Sequence, residues 1–169
     1  MNTRTKEAAA GRTWEDVCND PALQDLPYKI ETNAYGQIVM SPTHLKHGAF
    51  QSTIAMQLMN CTDDGRVITE AAIETEDGIK VADAAWFSSM RWKQVQDDYA
   101  ASSAPEICVE VLSPANTDAE MQTRRALYFE AGADEVWLCD EEGALSFYTA
   151  DGLLESSHRV PSFPSTVSL

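Results

Sequence analysis

The sequence lacks the features of several protein classes. Its first residues, MNTRTKEAAAGRT, contain no apolar core of about seven or more residues, so they are expected to form neither a signal peptide nor a membrane span. We expect residues 1–12 to be a disordered tail. Internal repeats, low-complexity segments and domain boundaries are also absent from the sequence. Residues 13–169 are therefore predicted to form a single domain.

Cysteine is scarce and scattered. The four cysteines are Cys18, Cys61, Cys108 and Cys139, and no two of them form a CxxC pair. Two of the four fall inside apolar segments that resemble strands. This distribution disfavours both a disulfide framework and a zinc site, and predicts free thiols in a reducing cytoplasm.

Positive charge is also scarce. The chain has 12 lysines and arginines against 27 aspartates and glutamates, which leaves a net charge of -15. Such a charge repels anionic membranes and nucleic-acid phosphates at long range. Because proteins that grip DNA usually carry a basic patch, the composition argues against membrane binding and counts against DNA binding.

One stretch, Pro105–Asp140, combines two strands and a helix in a short segment. It opens with the apolar run Ile107–Leu112, closed by Ser113-Pro114, which predicts a strand buried on both faces. A helix should follow from a cap near Thr117 to about Glu130, and a second apolar strand covers Glu135–Cys139. Strand, helix and strand in this order predict a right-handed crossover unit of an α/β fold.

Two acids interrupt apolar strands. Glu110 lies in the run just described, and Asp83 interrupts the apolar row of a predicted strand over Ile79–Phe87. Two buried like charges about 4 Å apart repel by roughly 4 kcal/mol at an effective dielectric of 20, and a divalent cation removes that cost. Hard oxygen ligands favour magnesium or manganese. An internal ion pair with Arg124 or Arg125 explains the acids equally well.

Residue patterns elsewhere predict the remaining elements of a mixed α/β domain. These are a helix from Trp14 to about Asn19, a hairpin of Tyr28–Thr32 and Gln37–Ser41, a helix over about Thr43–Asn60, strand Arg66–Thr75, a helix over Ser88–Tyr99 and an edge strand Ala144–Tyr148. We expect a central mixed sheet of about five strands with helices on both faces. Because exposed strand edges invite pairing, the edge strand predicts a homodimer.

Several segments across residues 28–148 form one recognisable pattern. They are Glu31 with the following GQIVMSP, His47, Ala82-Asp83, Val109–Pro114, Arg124 with Tyr128, and Ala131–Leu138. Together they resemble a known family, the Uma-type restriction-endonuclease-like proteins of the PD-(D/E)XK nuclease superfamily. The resemblance is most specific in VEVLSP and the later AGADEVWL.

The resemblance implies a restriction-endonuclease-like core and hydrolysis of DNA phosphodiester bonds with Mg²⁺ or Mn²⁺. Asp83 and Glu110 would be the metal-binding carboxylates, and the backbone carbonyl of Val111 would be a further oxygen ligand. Glu31 would be an auxiliary acid near the metal. His47, on the following helix, would face the same cleft.

Arg124 is the main departure from the family pattern, which has a lysine at this position. Lysine with a lowered pKa can help to orient or deprotonate water, whereas arginine stays protonated and can only stabilise charge. The resemblance therefore implies an endonuclease of reduced activity. The alternative is a catalytically weak or inactive nuclease-fold binding or regulatory module. A third possibility, an acidic DNA mimic, explains the charge but leaves Asp83 and Glu110 unexplained.

Overall fold

Residues 12–169 are described by a computed structural model, so residues 1–11 of the predicted tail lie outside the described residues. The described chain forms four α-helices, a six-stranded sheet and a separate two-stranded hairpin. The strands are β1 (Tyr28–Thr32), β2 (Ile38–Pro42), β3 (Arg66–Thr75), β4 (Gly78–Phe87), β5 (Ile107–Val111), β6 (Glu135–Cys139), β7 (Leu145–Thr149) and β8 (Gly152–Leu154). The α-helices are α1 (Trp14–Asn19), α2 (Leu45–Cys61), α3 (Ser89–Val95) and α4 (Asp118–Glu130), and a 3₁₀ turn covers Pro21–Leu23.

The main sheet has the strand order β3-β4-β5-β6-β7-β8. Only β5 and β6 are parallel, and α4 connects them. A capping box between Thr117 and Glu120 begins α4, and Gly132, at a φ of 108°, follows its end. The predicted α/β class, the mixed sheet and the crossover unit are confirmed. The sheet has six strands rather than about five because β8 adds a short strand at one edge.

The strand predicted at Ala144–Tyr148 is not an edge strand. It is observed as β7, which pairs with β6 on one side and with β8 on the other. Ala144 also forms an isolated bridge with Thr166 of the C-terminal tail. Because β8 and the tail pair with the side of β7 that β6 leaves free, this strand has no exposed edge. The edge argument for a homodimer therefore does not hold for it.

Helix α3 is shorter than the predicted Ser88–Tyr99. Ser88 caps its start by accepting a hydrogen bond from the Arg91 N–H, but the helix ends at Val95. The chain after it extends along β3, where the Ala101 N–H donates to the Ala72 carbonyl at 2.8 Å. Pairing with the sheet therefore overrides the local helical preference.

The core has two parts, one on each face of the main sheet. One contains α2 residues and the tail, and its members include Phe50, Ile54, Leu58, Val109, Trp137, Val160, Phe163 and Val167. The other contains α3 and α4 residues, and its members include Ala85, Val95, Cys108, Met121, Tyr128 and Val136. Helices thus cover both faces, as predicted. The cysteines are free thiols, and no helix within residues 12–169 has the length and apolarity needed to cross a membrane.

A buried carboxylate fastens the C-terminal tail to the sheet. Glu135 on β6 is 1% exposed. It accepts hydrogen bonds from the Trp137 indole at 2.8 Å, from the Ser157 hydroxyl at 2.7 Å, and from the His158 and Arg159 backbone N–H groups at 2.8 Å each. Four donors thereby replace the water that the carboxylate loses on burial.

Replacing Glu135 by alanine should strongly destabilise the protein. The substitution leaves four donors without their acceptor, which should lower the free energy of unfolding by about 3 kcal/mol or more. Urea denaturation at neutral pH measures this, with Glu142→Ala, at an exposed position, as the matched control. Equal unfolding midpoints for Glu135→Ala and wild type would contradict this account of the tail.

Candidate active site

The site lies where β4 and β5 separate. The two strands pair only between Ala84–Trp86 and Ile107–Val109. Beyond these residues the Asp83 carboxylate accepts the Val111 N–H at 2.7 Å, in place of a backbone acceptor. Asp83 on β4 and Glu110 on β5 therefore flank the opening between the strands, and both are buried.

Hairpin strand β1 covers the part of β4 that β5 leaves unpaired. The Glu31 carboxylate accepts the Val81 N–H at 2.7 Å, and the Thr32 hydroxyl oxygen accepts the Ile79 N–H at 2.9 Å. Side chains rather than a backbone ladder therefore attach the hairpin to the sheet. Because side chains two residues apart on a strand point the same way, Glu31 brings Lys29 with it.

Lys29 lies between the two central acids. Its ammonium nitrogen is 2.9 Å from Asp83 Oδ1 and 3.6 Å from Glu110 Oε2, and its side chain is 12% exposed. Lys29 is not among the site residues predicted from the sequence. Its spacing of two from Glu31 is the signal that could have revealed it.

Arg124 joins the two acids that come from β1 and β5. Its guanidinium binds both Glu31 oxygens, at 2.7 and 2.8 Å, and lies 3.3 Å from Glu110 Oε1. The Tyr128 hydroxyl, one helical turn further along α4, donates to the same Glu110 oxygen at 2.5 Å. Arg125 points elsewhere, with its guanidinium 3.8 Å from the centre of the Tyr148 ring. An internal ion pair with Arg124 is therefore present.

His47 reaches the site from the first turn of α2. Its Nε2 lies 3.2 Å from Asp83 Oδ2. The hydrogen bond with Asp83 raises the pKa of His47. The structure thus brings together every site residue predicted from the sequence, and all of them line or border one polar cleft: Glu31, His47, Asp83, Glu110, Val111 and Arg124.

Burial and neighbouring charges set the protonation of the acids. Burial raises the pKa of Glu110 to about 7, despite the opposing effect of Lys29 and Arg124. Burial also opposes ionisation of Asp83, but His47 and Lys29 hold its pKa well below its usual range. Burial also tends to raise the pKa of Glu31, but the hydrogen bonds from Arg124 outweigh this effect and lower that pKa.

For the two basic groups, burial tends to lower the pKa and the neighbouring acids raise it. Burial tends to lower the pKa of Lys29, yet Glu110 and Asp83 raise it above the ordinary value. The pKa of Arg124 is raised in the same way, mainly by Glu110 and Glu31 acting against burial. Both cations therefore stay charged at neutral pH and neutralise the ionised acids.

A family model described as "Uma2: Putative restriction endonuclease" matches residues 20–168. The chain belongs to the Uma2 family. Among solved structures, a crystal structure titled a putative nuclease belonging to DUF820, from Anabaena variabilis, is similar in fold with a TM-score of 0.62. It shares 20% sequence identity, and the match covers 82% of this chain and 79% of that one. No curated protein sequence matches the chain.

The Uma2 match confirms the resemblance inferred from the sequence, and the structural match confirms a nuclease-like fold. Neither comparison assigns a role to an individual residue. The roles of Asp83, Glu110, Glu31, His47 and Arg124 accordingly remain predictions, now supported by their convergence on one cleft.

Glu110 should give the stability of the protein a measurable pH dependence. Its folded pKa of about 7 exceeds the usual value of 4.5, so the folded state keeps a proton that the unfolded chain releases between these pH values. The stability that this retained proton adds to the folded state is complete below about pH 4.5 and is lost as the pH rises to about 7. Glu110→Gln has no such proton, so its free energy of unfolding relative to wild type should rise over this range, by on the order of 3 kcal/mol.

Urea denaturation at a series of pH values tests this, and only the change with pH counts. The substitution also alters contacts to Arg124 and Tyr128, which adds a constant offset. Glu142→Gln at an exposed position serves as the control. A constant difference between Glu110→Gln and wild type from pH 4.5 to 7.5 would show that Glu110 keeps an ordinary pKa.

Proposed function

We propose that this Uma2 protein is a divalent-metal-dependent endonuclease that hydrolyses phosphodiester bonds of DNA with low activity. The observation that carries the proposal is the convergence of Asp83 and Glu110 on one cation, the Lys29 ammonium, where β4 and β5 separate. The Uma2 match supports a nuclease-like activity.

The donor set fits Mg²⁺ or Mn²⁺. Asp83 and Glu110 present hard carboxylate oxygens that already hold a cationic group, and the Val111 carbonyl would be a further ligand. Within residues 12–169 no cluster of three or more His, Cys, Asp and Glu side chains suits a metal ion. Mg²⁺ commonly uses one or two carboxylates together with water and substrate phosphate, so Asp83 and Glu110 would be enough to hold it. When bound, the ion would polarise the phosphate and lower the pKa of a bound water.

The other residues of the cleft would act through charge and position. Arg124 is held by Glu31 and stays protonated, so it would stabilise negative charge on the phosphate. Lys29 places an ammonium beside both central acids, and its raised pKa keeps it charged, so it would stabilise charge without replacing the proton transfer of the family's lysine. His47 would position Asp83 through their hydrogen bond.

The partners and setting follow from the same proposal. DNA is the intended substrate, although a net charge of -15 favours weak, salt-sensitive binding. A cytoplasmic location and a homodimer stay predictions, and no membrane partner is expected. Sedimentation at micromolar concentration tests the dimer.

Metal binding should stabilise the protein through Asp83 and Glu110. Adding Mg²⁺ or Mn²⁺ should raise the melting temperature by mass action, and the double substitution Asp83→Asn with Glu110→Gln should abolish the rise. Differential scanning fluorimetry measures both. An unchanged metal response in the double variant would place the bound ion elsewhere, on the acidic surface.

Lys29 should matter for cleavage as well as for charge balance. We expect wild type to nick supercoiled plasmid at low salt with Mn²⁺, Glu110→Gln to be inactive, and Lys29→Met to lose about 100-fold. Lys93→Met, at an exposed position on α3, is the matched control and should cut like wild type. Equal nicking by folded Lys29→Met and wild type would exclude Lys29 from the reaction.

A second candidate function is a nuclease-fold binding or regulatory module without catalysis. It is favoured by the pairing of all three acids with cations of the chain, which leaves the cleft neutralised without metal. In that case Arg124 is a structural partner of Glu31 and Glu110. Purified protein would then show neither a metal-induced stabilisation nor any nicking.

A further inference from the structure

A second cavity adjoins the carboxylate cleft, and we call it the side pocket. Its volume is about 240 Å³, and its apolar lining comes from Phe50, Val111, Leu112 and Pro114. Lys46 and Glu141 add one charge of each sign. Four residues line both the side pocket and the cleft: His44, His47, Val111 and Ser113.

We propose that the side pocket binds an unpaired nucleobase of the strand whose phosphate lies in the carboxylate cleft. The preferred substrate would then be single-stranded DNA, or a nucleotide turned out of a duplex. This inference rests on the proposed function for the position of the phosphate, but it concerns binding and does not require cleavage.

The dimensions and chemistry of the side pocket suit one base. Its 240 Å³ lies below the roughly 300–1,000 Å³ typical of drug-sized ligands, which leaves room for a single flat ring system. Leu112 and Pro114 offer apolar surface to the faces of a base. The Glu141 carboxylate offers an acceptor for its amino or imino N–H groups.

Lys46 provides the charge that a nucleotide needs. Its ammonium lies 5.8 Å from the centre of the Phe50 ring, and among the described residues it forms no ion pair. It is therefore available to a phosphate next to the bound base. The cleft and the side pocket together would contact one nucleotide through both its charge and its base.

Within residues 12–169, the scarcity of basic groups outside ion pairs favours an unpaired base over a duplex. A protein that follows a duplex does so through a row of phosphate contacts. Here several basic side chains are already paired with carboxylates, namely Arg12, Lys80, Arg91 and Arg159. Affinity must then come from contacts with the base itself, and a base inside a duplex is stacked and paired beyond reach.

Fluorescence anisotropy at low salt in EDTA tests the inference on the full chain, with labelled oligonucleotides long enough for the matching duplex to stay paired as probes. Because Lys29 and Arg124 neutralise the acids, phosphate can approach without metal. Single strands should bind at least about fivefold tighter than the matching duplex or a strand of abasic residues. Leu112→Trp, which enlarges a side chain in the lining of the side pocket, should erase this difference. Leu153→Trp, at an exposed position on β8, should not.

A second pair of variants and a competition measurement cover the case in which Leu112→Trp does not fold. Lys46→Ala should weaken single-strand binding, while Lys93→Ala should not. A deoxynucleoside monophosphate should compete with the labelled strand better than deoxyribose phosphate does. Duplex binding as tight as single-strand binding, or equal competition by the two phosphates, would overturn the inference.

The outcome separates the side pocket from the enzyme. Discrimination for single strands by a protein that never cuts DNA would retain the side pocket and reject the nuclease. Nicking together with an unaltered preference in folded Leu112→Trp would retain the nuclease and reject the side pocket.

Discussion

The structure depends on the neutralisation of buried carboxylates. Glu31, Asp83 and Glu110 lie within one small region, and an unpaired charge in such a place costs several kcal/mol, on the order of 3–5. Lys29 from β1 and Arg124 from α4 supply the opposite charges. Because these cations come from separate elements, the charge balance also docks the hairpin and α4 on the opening between β4 and β5. The chemistry of the site and the assembly of the fold therefore have the same cause.

The two cations are suited to different places. The planar guanidinium of Arg124 matches the two oxygens of Glu31 and makes two hydrogen bonds to them. The ammonium of Lys29 is a compact charge, and it fits between single oxygens of Asp83 and Glu110. Arginine at position 124 thus does not leave the site without a lysine. The ammonium comes from β1 and stays charged, and the guanidinium holds Glu31 in place.

The sequence predicted what depends on local pattern. Apolar runs located β5 and β6, alternating apolar and polar residues located β3, and the acids that interrupt two strands indicated Asp83 and Glu110 as neighbours. Lys29 was missed because its position depends on how the hairpin docks, through contacts such as that between Glu31 and the Val81 N–H, which are 50 residues apart. The covering of β7 was missed for a similar reason. Strand β8 is only three residues long, and the tail is held through Glu135 rather than by a periodic pattern.

The net charge of -15 and a DNA substrate are less contradictory than the composition alone indicates. Exposed charges more than about 8 Å apart are largely screened at physiological salt, so surface acids beyond that distance hardly alter the field inside the cleft. A bound phosphate would experience the local set, in which Lys29 and Arg124 balance the acids of the cleft and Lys46 adds a positive charge. The overall charge instead slows the approach of DNA, because long-range steering is repulsive. The proposed nuclease would therefore be better suited to unpaired strands that reach its cleft than to scanning a duplex.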